Sequence, residues 1–345
     1  MARWPMTILT VLSTLGTLAL AQNSTDNQGG STDTKNPLHY LPNYGAAAVG
    51  LIFMILLFLA HTWLTIKTGA RYMIVLLVAE ACYAIGIGMR FPMHQNPDVL
   101  TNYIILNLFT TLAPCGFIAA EYMILGRLAT WVKGDRYLMI RPSRLTKVFV
   151  ASDVTTFLIQ AAGGGLSAQA GSNPNTAKLG SNIFLAGLIL QLVSFAFFTS
   201  VFVLFVLRMR SNEPQTWDRD STYGIPWKRD WRMFLLAMFL SCIGILVRSV
   251  YRCIELSEGY TGHLTTTEWY FWAFDYVPLY VALAVYIPFW PGHFINRDAP
   301  IELAGHQLQP AMAGGGSSSD LENGKKFKGG VYEDRHVQSR MYGPQ

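Results

Sequence analysis

Seven stretches of this chain, near residues 44–66, 73–90, 102–131, 147–167, 179–207, 231–255 and 267–290, are apolar. Each comes close to the roughly 20 residues that a helix needs to cross a bilayer core. Lipid offers no partner to a backbone N–H or C=O, so such segments close their hydrogen bonds internally as helices. The expected fold is all-α: an integral membrane bundle of seven transmembrane helices. Composition decides between this and a large soluble core. Of the 345 residues 51% are hydrophobic and only 14% charged, against about 25% charged in an ordinary soluble domain, and the mean hydropathy is +0.29. That leaves too few charges to cover a water-facing surface. A soluble globule, a disordered protein and a nucleic-acid binder are excluded, although the pI is near 9.0. Pro114 should kink the third segment, with neighbouring groups taking up the carbonyl it frees.

The chain ends read differently. Arg3, an apolar run from Thr7 to Leu20 and the Ala19-Leu20-Ala21 pattern have the layout of a secretory signal peptide over residues 1–21. An uncleaved anchor is the alternative. Residues 22–43 are polar and carry the sequon Asn23-Ser24-Thr25, which suits an exposed extracellular tail glycosylated at Asn23. The membrane domain is expected over 44–293. Residues 294–345, with a glycine-serine run from Gly314 to Ser319, read as a disordered cytosolic tail. Its Lys325-Lys326-Phe327-Lys328 cluster suits either anionic lipid or plain solvent.

Lysine and arginine set the orientation. The first loop holds Lys67 and Arg71, the third Lys133, Arg136, Arg141, Arg144 and Lys147, the fifth Arg208, Arg210, Arg219, Lys228, Arg229 and Arg232. The alternate loops hold only Lys178 and the boundary residue Arg90. The N-terminus is therefore expected outside and the C-terminus in the cytoplasm, in agreement with a cleaved leader. Trp131, Trp231 and Trp290 should mark the cytoplasmic interface, and Trp269 and Trp272 the outer one. Cys82, Cys115, Cys242 and Cys253 have no disulfide or metal spacing and read as small buried residues.

A charge near the bilayer centre costs about 2.5–3.5 kcal/mol, so each needs a partner or a purpose. The spans contain Glu80, Glu121, Arg127, Asp153, Arg248, Arg252, Glu255, Glu268 and Asp275, with His61 the only histidine. Arg248, Arg252 and Glu255 lie four and three apart and share a helix face. Glu268 and Asp275, seven apart, should share one on the next, antiparallel helix. Asp275 is then expected level with Arg248, and Glu268 nearer Arg252, as a polar ladder that either fixes helix register or lines a headgroup recess. On the other half, Arg127 should bridge to Asp153, with Gln160 two turns above it and Gly163-Gly164-Gly165 allowing close helix approach or an unwound stretch. Glu80 has no partner legible in the sequence.

The absences narrow the function. There is no P-loop motif, no lysine inside a span for a retinal Schiff base, and no histidine set for zinc or haem. An enzyme, a cofactor and a resident metal are not expected. Asp135-Arg136-Tyr137 invites comparison with rhodopsin-like receptors, yet the seventh segment lacks N-P-x-x-Y and offers Val277-Pro278-Leu279-Tyr280.

These residues fall in runs that resemble one family. They are Glu80-x-x-Tyr83 with Arg90; Ala113-Pro114, Ala119-Ala120, Tyr122-Met123 and Leu125-Gly126-Arg127; Asp153, Gln160 and Gly163-Gly164-Gly165; and Gly187 with Gln191. The series continues with Arg248-x-x-Tyr251-Arg252-x-x-Glu255, Gly259, Gly262, Glu268, Tyr270 and Asp275. From Tyr44 to His293 the chain resembles the fungal lipid-translocating exporters named for resistance to aminocholesterol. It departs from them at Trp290-Pro291-Gly292, where His-Pro-Gly is usual, and at Leu279, where methionine is common. The resemblance implies a plasma-membrane or endomembrane protein that exports amphipathic lipids such as sphingoid bases, or lipophilic toxic compounds, and so contributes to drug or lipid-stress resistance. Some members resemble porphyrin or haem transporters. Its partners would be membrane lipids and an amphipathic small molecule. The competing reading is a receptor-like sensor of lipid stress.

Overall fold

The computed structural model describes residues 41–295, apart from 98, 133, 170–172, 215–216, 218–229 and 260–261. The leader, Asn23 and the polar tail after Ile295 lie outside the described residues.

Among the described residues six helices are long and apolar enough to cross a membrane: Tyr44–Thr68, Arg71–Gln95, Leu100–Trp131, Arg144–Ser167, Asn175–Asn212 and Trp231–Ser257. Within them we label α1 (Tyr44–Thr68), α2 (Ile74–Gly88), α3 (Leu100–Trp131), α4 (Pro142–Gln169), α5 (Pro174–Asn212) and α6 (Trp231–Ser257). The seventh apolar segment is helical but interrupted. A turn at Glu268–Tyr270 runs into a π-helical stretch, Phe271–Tyr276, and then into α7 (Val277–Ala284).

Local chemistry sets the ends. The Asn43 side chain accepts from the Gly45 and Ala46 amides at 2.7 and 3.1 Å, capping α1. Gly69, with φ of 66°, ends it in the left-handed conformation that glycine takes without a Cβ penalty. Asn173 and Pro174 open α5 in the same way.

Each helix packs on the next in sequence, and α7 returns to α1. The Tyr276 hydroxyl donates to the Gly50 carbonyl at 2.6 Å across that seam. The α4–α5 pair approaches backbone to backbone. A Cβ on Gly163 would lie 2.8 Å from the Gly180 carbonyl oxygen and 2.9 Å from the Phe184 Cα. Of the three glycines Gly163 serves this close approach, and α4 runs through all of them as a continuous helix with no unwinding.

The distribution of surface is that of a protein in lipid. Ile52, Leu56, Leu59, Trp63 and Ile66 of α1 all face outward, Ile66 at 77% exposure, while Glu80, Gln160 and Asp275 are sealed inside at 0%. Water would penalise that outer face, and hydrocarbon would not. The chain is a multi-pass helical membrane protein. Three of the expected interface markers are instead core residues: Trp231 and Trp290 are fully buried, and Trp272 nearly so. The Trp290 indole donates to Thr68 Oγ1 at 2.9 Å, a bond that outweighs the pull of the headgroup layer. Trp269, by contrast, is exposed.

Candidate functional site

Proline at 114 carries no N–H, so the carbonyl four residues earlier, Thr110, loses its partner inside α3. Arg248 of α6 supplies one: its Nη2 donates to Thr110 O at 2.8 Å. The same guanidinium turns its Nε toward Asp275 Oδ1 at 3.0 Å. Arg252, one turn along α6, places Nε 2.7 Å from Asp275 Oδ1 and Nη2 3.1 Å from Oδ2. Tyr83 of α2 completes the cluster by donating to Oδ2 at 3.2 Å. One carboxylate therefore ties α2, α6 and the π-helical stretch together, and through Arg248 reaches α3. Arg252 is shared: its Nη1 also donates to Glu255 at 3.0 Å, and Tyr251 lies 3.4 Å from the other oxygen of that carboxylate.

Glu268 forms a second knot. It accepts from Arg90 Nη1 at 2.7 Å, from the Trp272 indole at 3.1 Å and from the Asn43 amide at 2.9 Å. The Phe271 ring lies between the knots, 3.9 Å from the Arg90 guanidinium and 5.4 Å from that of Arg252. Asp275 meets Arg248 as expected, but Arg252, expected nearer Glu268, meets Asp275 as well. The ladder is wrong for Glu268, whose arginine is Arg90. Equal-face spacing assumed 3.6 residues per turn, and the π stretch between Glu268 and Asp275 does not keep that period.

The other half of the bundle holds carboxylates of another kind. Glu121 accepts from Ser241 at 2.5 Å and from Tyr286 at 2.7 Å. Glu80 contacts His61 Nδ1 at 2.6 Å, and that imidazole stacks on Trp290 with centroids 5.2 Å apart. Asp153 is 2% exposed and lies beside the Tyr122 hydroxyl, with no arginine or lysine paired to it among the described residues. Above it Gln160 donates to Gln191 at 2.8 Å, and Gln191 to the Cys115 sulfur at 3.2 Å. Aromatic side chains, Phe117, Tyr122 and Tyr276 among them, pack between these clusters.

Residues 76–298 match the family described as RTA1 like protein. The chain belongs to that family. Among curated proteins of Saccharomyces cerevisiae it is 32% identical to Protein RTA1 over 213 residues, covering 61% of this chain and 63% of that one. It is 33% identical to Protoporphyrin uptake protein 1 over 214 residues, 62% of this chain and 66% of the relative. It is 26% identical to Sphingoid long-chain base transporter RSB1 over 243 residues, 63% of each chain. The matched stretch spans less than two thirds of the length of each of these relatives. No solved structure matches.

For this RTA1-like chain the family match covers every charged residue of both arginine knots, while His61 and Asn43, on or capping α1, precede it. Trp290 stacks on His61, and His293 is exposed. The bridge expected between Arg127 and Asp153 does not form. Arg127 is exposed and lies over the Tyr72 ring at 4.3 Å. Six residues at 3.6 per turn carry it about 240° around α3 from Glu121, away from the interior. Arg127→Ala should accordingly lower stability by less than about 1 kcal/mol in thermal unfolding of the detergent-solubilised protein. A larger loss would show a partner for Arg127 other than that ring.

Sequence reasoning missed the partners Arg90, Ser241 and Tyr286 and the pairing of His61 with Glu80. A signal existed only for Arg90, an unexplained arginine at the end of an apolar segment.

Proposed function

We propose that this protein moves amphipathic lipids of the sphingoid-base kind, or lipophilic toxic compounds, outward across the plasma membrane. We take it to span the bilayer seven times, with its N-terminus outside, and to contribute to drug or lipid-stress resistance. One asymmetry carries the reading. The carboxylates at the end where α1 meets the first loop, Glu80, Glu121 and Asp153, are held by an imidazole or by hydroxyls, with no arginine or lysine paired to them among the described residues. Those at the opposite end, Asp275, Glu268 and Glu255, are all paired with arginine.

A cationic or zwitterionic headgroup entering from the cytoplasmic side meets carboxylates that lack a fixed cation. A buried carboxylate of that kind gains most from a mobile one. At the outer side Arg248, Arg252 and Arg90 compete for the carboxylates and displace the headgroup, while the hydrocarbon chain stays in lipid. Names of relatives agree with the substrate class: one is a sphingoid long-chain base transporter. No chemical conversion of the lipid is part of this reading.

The test is movement of labelled sphingoid base between leaflets of vesicles containing the purified protein alone. Asp153→Asn is expected to slow it about tenfold, the effect of losing roughly 1.4 kcal/mol of binding. Absence of movement with folded wild-type protein would reject transport. A receptor-like sensor is then the better reading, and one contact favours it: Arg136 and Tyr137 of the Asp-Arg-Tyr turn both bind Glu213, just beyond α5.

A further inference from the structure

An apolar groove of about 490 Å³ runs along the outside of α6 from Ile243 to Ile254, walled on the other side by Leu264, Tyr270 and Phe274. That volume is in the range of small-molecule sites, about 300–1,000 Å³. The span from Ile243 to Ile254 amounts to about 17 Å of helix rise, close to the ~15 Å depth of one leaflet's hydrocarbon. Along it Tyr251 stacks on Phe274 at 6.0 Å and Phe274 on Tyr270 at 6.3 Å.

The groove is polar at one end only. Tyr251, a lining residue, points its hydroxyl at Glu255. One turn further, Glu258 accepts from the Leu264 amide at 3.1 Å, and its carboxylate is exposed. Around this end stand two arginines, Arg248 and Arg252, and three carboxylates, Asp275, Glu255 and Glu258, so the cluster carries one excess negative charge. Arg252 can leave Glu255 and remain bound to Asp275 through two other nitrogen–oxygen contacts. A cation arriving at Glu255 therefore strands no buried charge.

We infer that this groove is a binding site for the hydrocarbon chain of a single-chain lipid amine, with the ammonium on Glu255 and Glu258. The inference rests on the transport reading for the class of ligand, but it concerns binding and is tested separately. One leaflet's depth and one groove admit one chain, which disfavours a two-chain phospholipid, and the excess carboxylate disfavours a neutral headgroup.

The full chain in phosphatidylcholine vesicles is photolabelled with a long-chain primary amine bearing a diazirine in mid-chain. The matching long-chain alcohol and a phosphatidylcholine with the same diazirine are compared. The amine should label peptides covering 243–254 and 264–274 roughly tenfold more than the other two probes. Val250→Trp, filling the groove from a half-exposed position, should abolish this excess, and Glu258→Gln should reduce it. Equal labelling by all three probes, or labelling spread evenly over the outer face of α1, would overturn the site. The wild-type comparison needs no variant to fold. Groove labelling without leaflet-to-leaflet movement would leave the site standing and reject transport; movement without the labelling would do the reverse.

Discussion

Asp275→Ala is expected to destabilise the bundle by about 3–5 kcal/mol, because removing one partner of a buried ion pair leaves the others uncompensated. Here it strands two guanidiniums at once: Arg248 and Arg252 both point at this carboxylate, which is fully buried. Arg252→Gln should cost less. Asp275 would keep Arg248 and the Tyr83 hydroxyl, and Glu255 would keep Tyr251. The order of the two losses is the sharper expectation, since it depends only on how many charges each change leaves unpaired. Thermal unfolding followed by size-exclusion chromatography in detergent reads both. A wild-type melting curve for Asp275→Ala would mean that the knot contributes nothing to assembly. An Arg252→Gln loss as large as that of Asp275→Ala would place the essential contact on Glu255.

Gly163→Leu should have a comparable effect by a different route. The space that a side chain would enter is filled by backbone, the Gly180 carbonyl and the Phe184 Cα, so no rotamer change can relieve the clash. The helices must separate, at a cost of about 1–3 kcal/mol or more for overpacking. Separation would also break the hydrogen bond from Gln160 to Gln191 across the same interface. Gly165→Ala, two residues along the same helix, adds a Cβ that meets nothing within 4 Å and should be close to neutral. Near-equal melting temperatures for the two variants would show that α4 and α5 are not in close contact in the membrane.

Much of the bundle was legible from residue types alone. The existence and order of the six long helices follow from the apolar runs, since lipid leaves a backbone no other way to close its hydrogen bonds, although α4 and α5 run past the expected limits at both ends. Pro114 announced a freed carbonyl, and Arg248 takes it. The four-residue spacing of Arg248 and Arg252 put both on the face that meets Asp275. Distances between helices are not encoded in the pattern of any one helix. His61 and Glu80 are on different helices, and nothing in either helix's own pattern sets the register that brings them to 2.6 Å. Trp231 and Trp290 were read as interface anchors because position along a span is visible in sequence, whereas which way a ring faces is not.

The sequence by itself determined that this chain is a helical membrane protein with charged side chains inside its spans, because the cost of exposing peptide groups and charges to hydrocarbon allows no other class. Tertiary structure alone decided which charges meet. A π-helical stretch breaks the helical period between Glu268 and Asp275, so one turns to Arg90 and the other to Arg248 and Arg252. Pairing depends on register between helices far apart in the chain, and the packing of side chains along each seam sets that register.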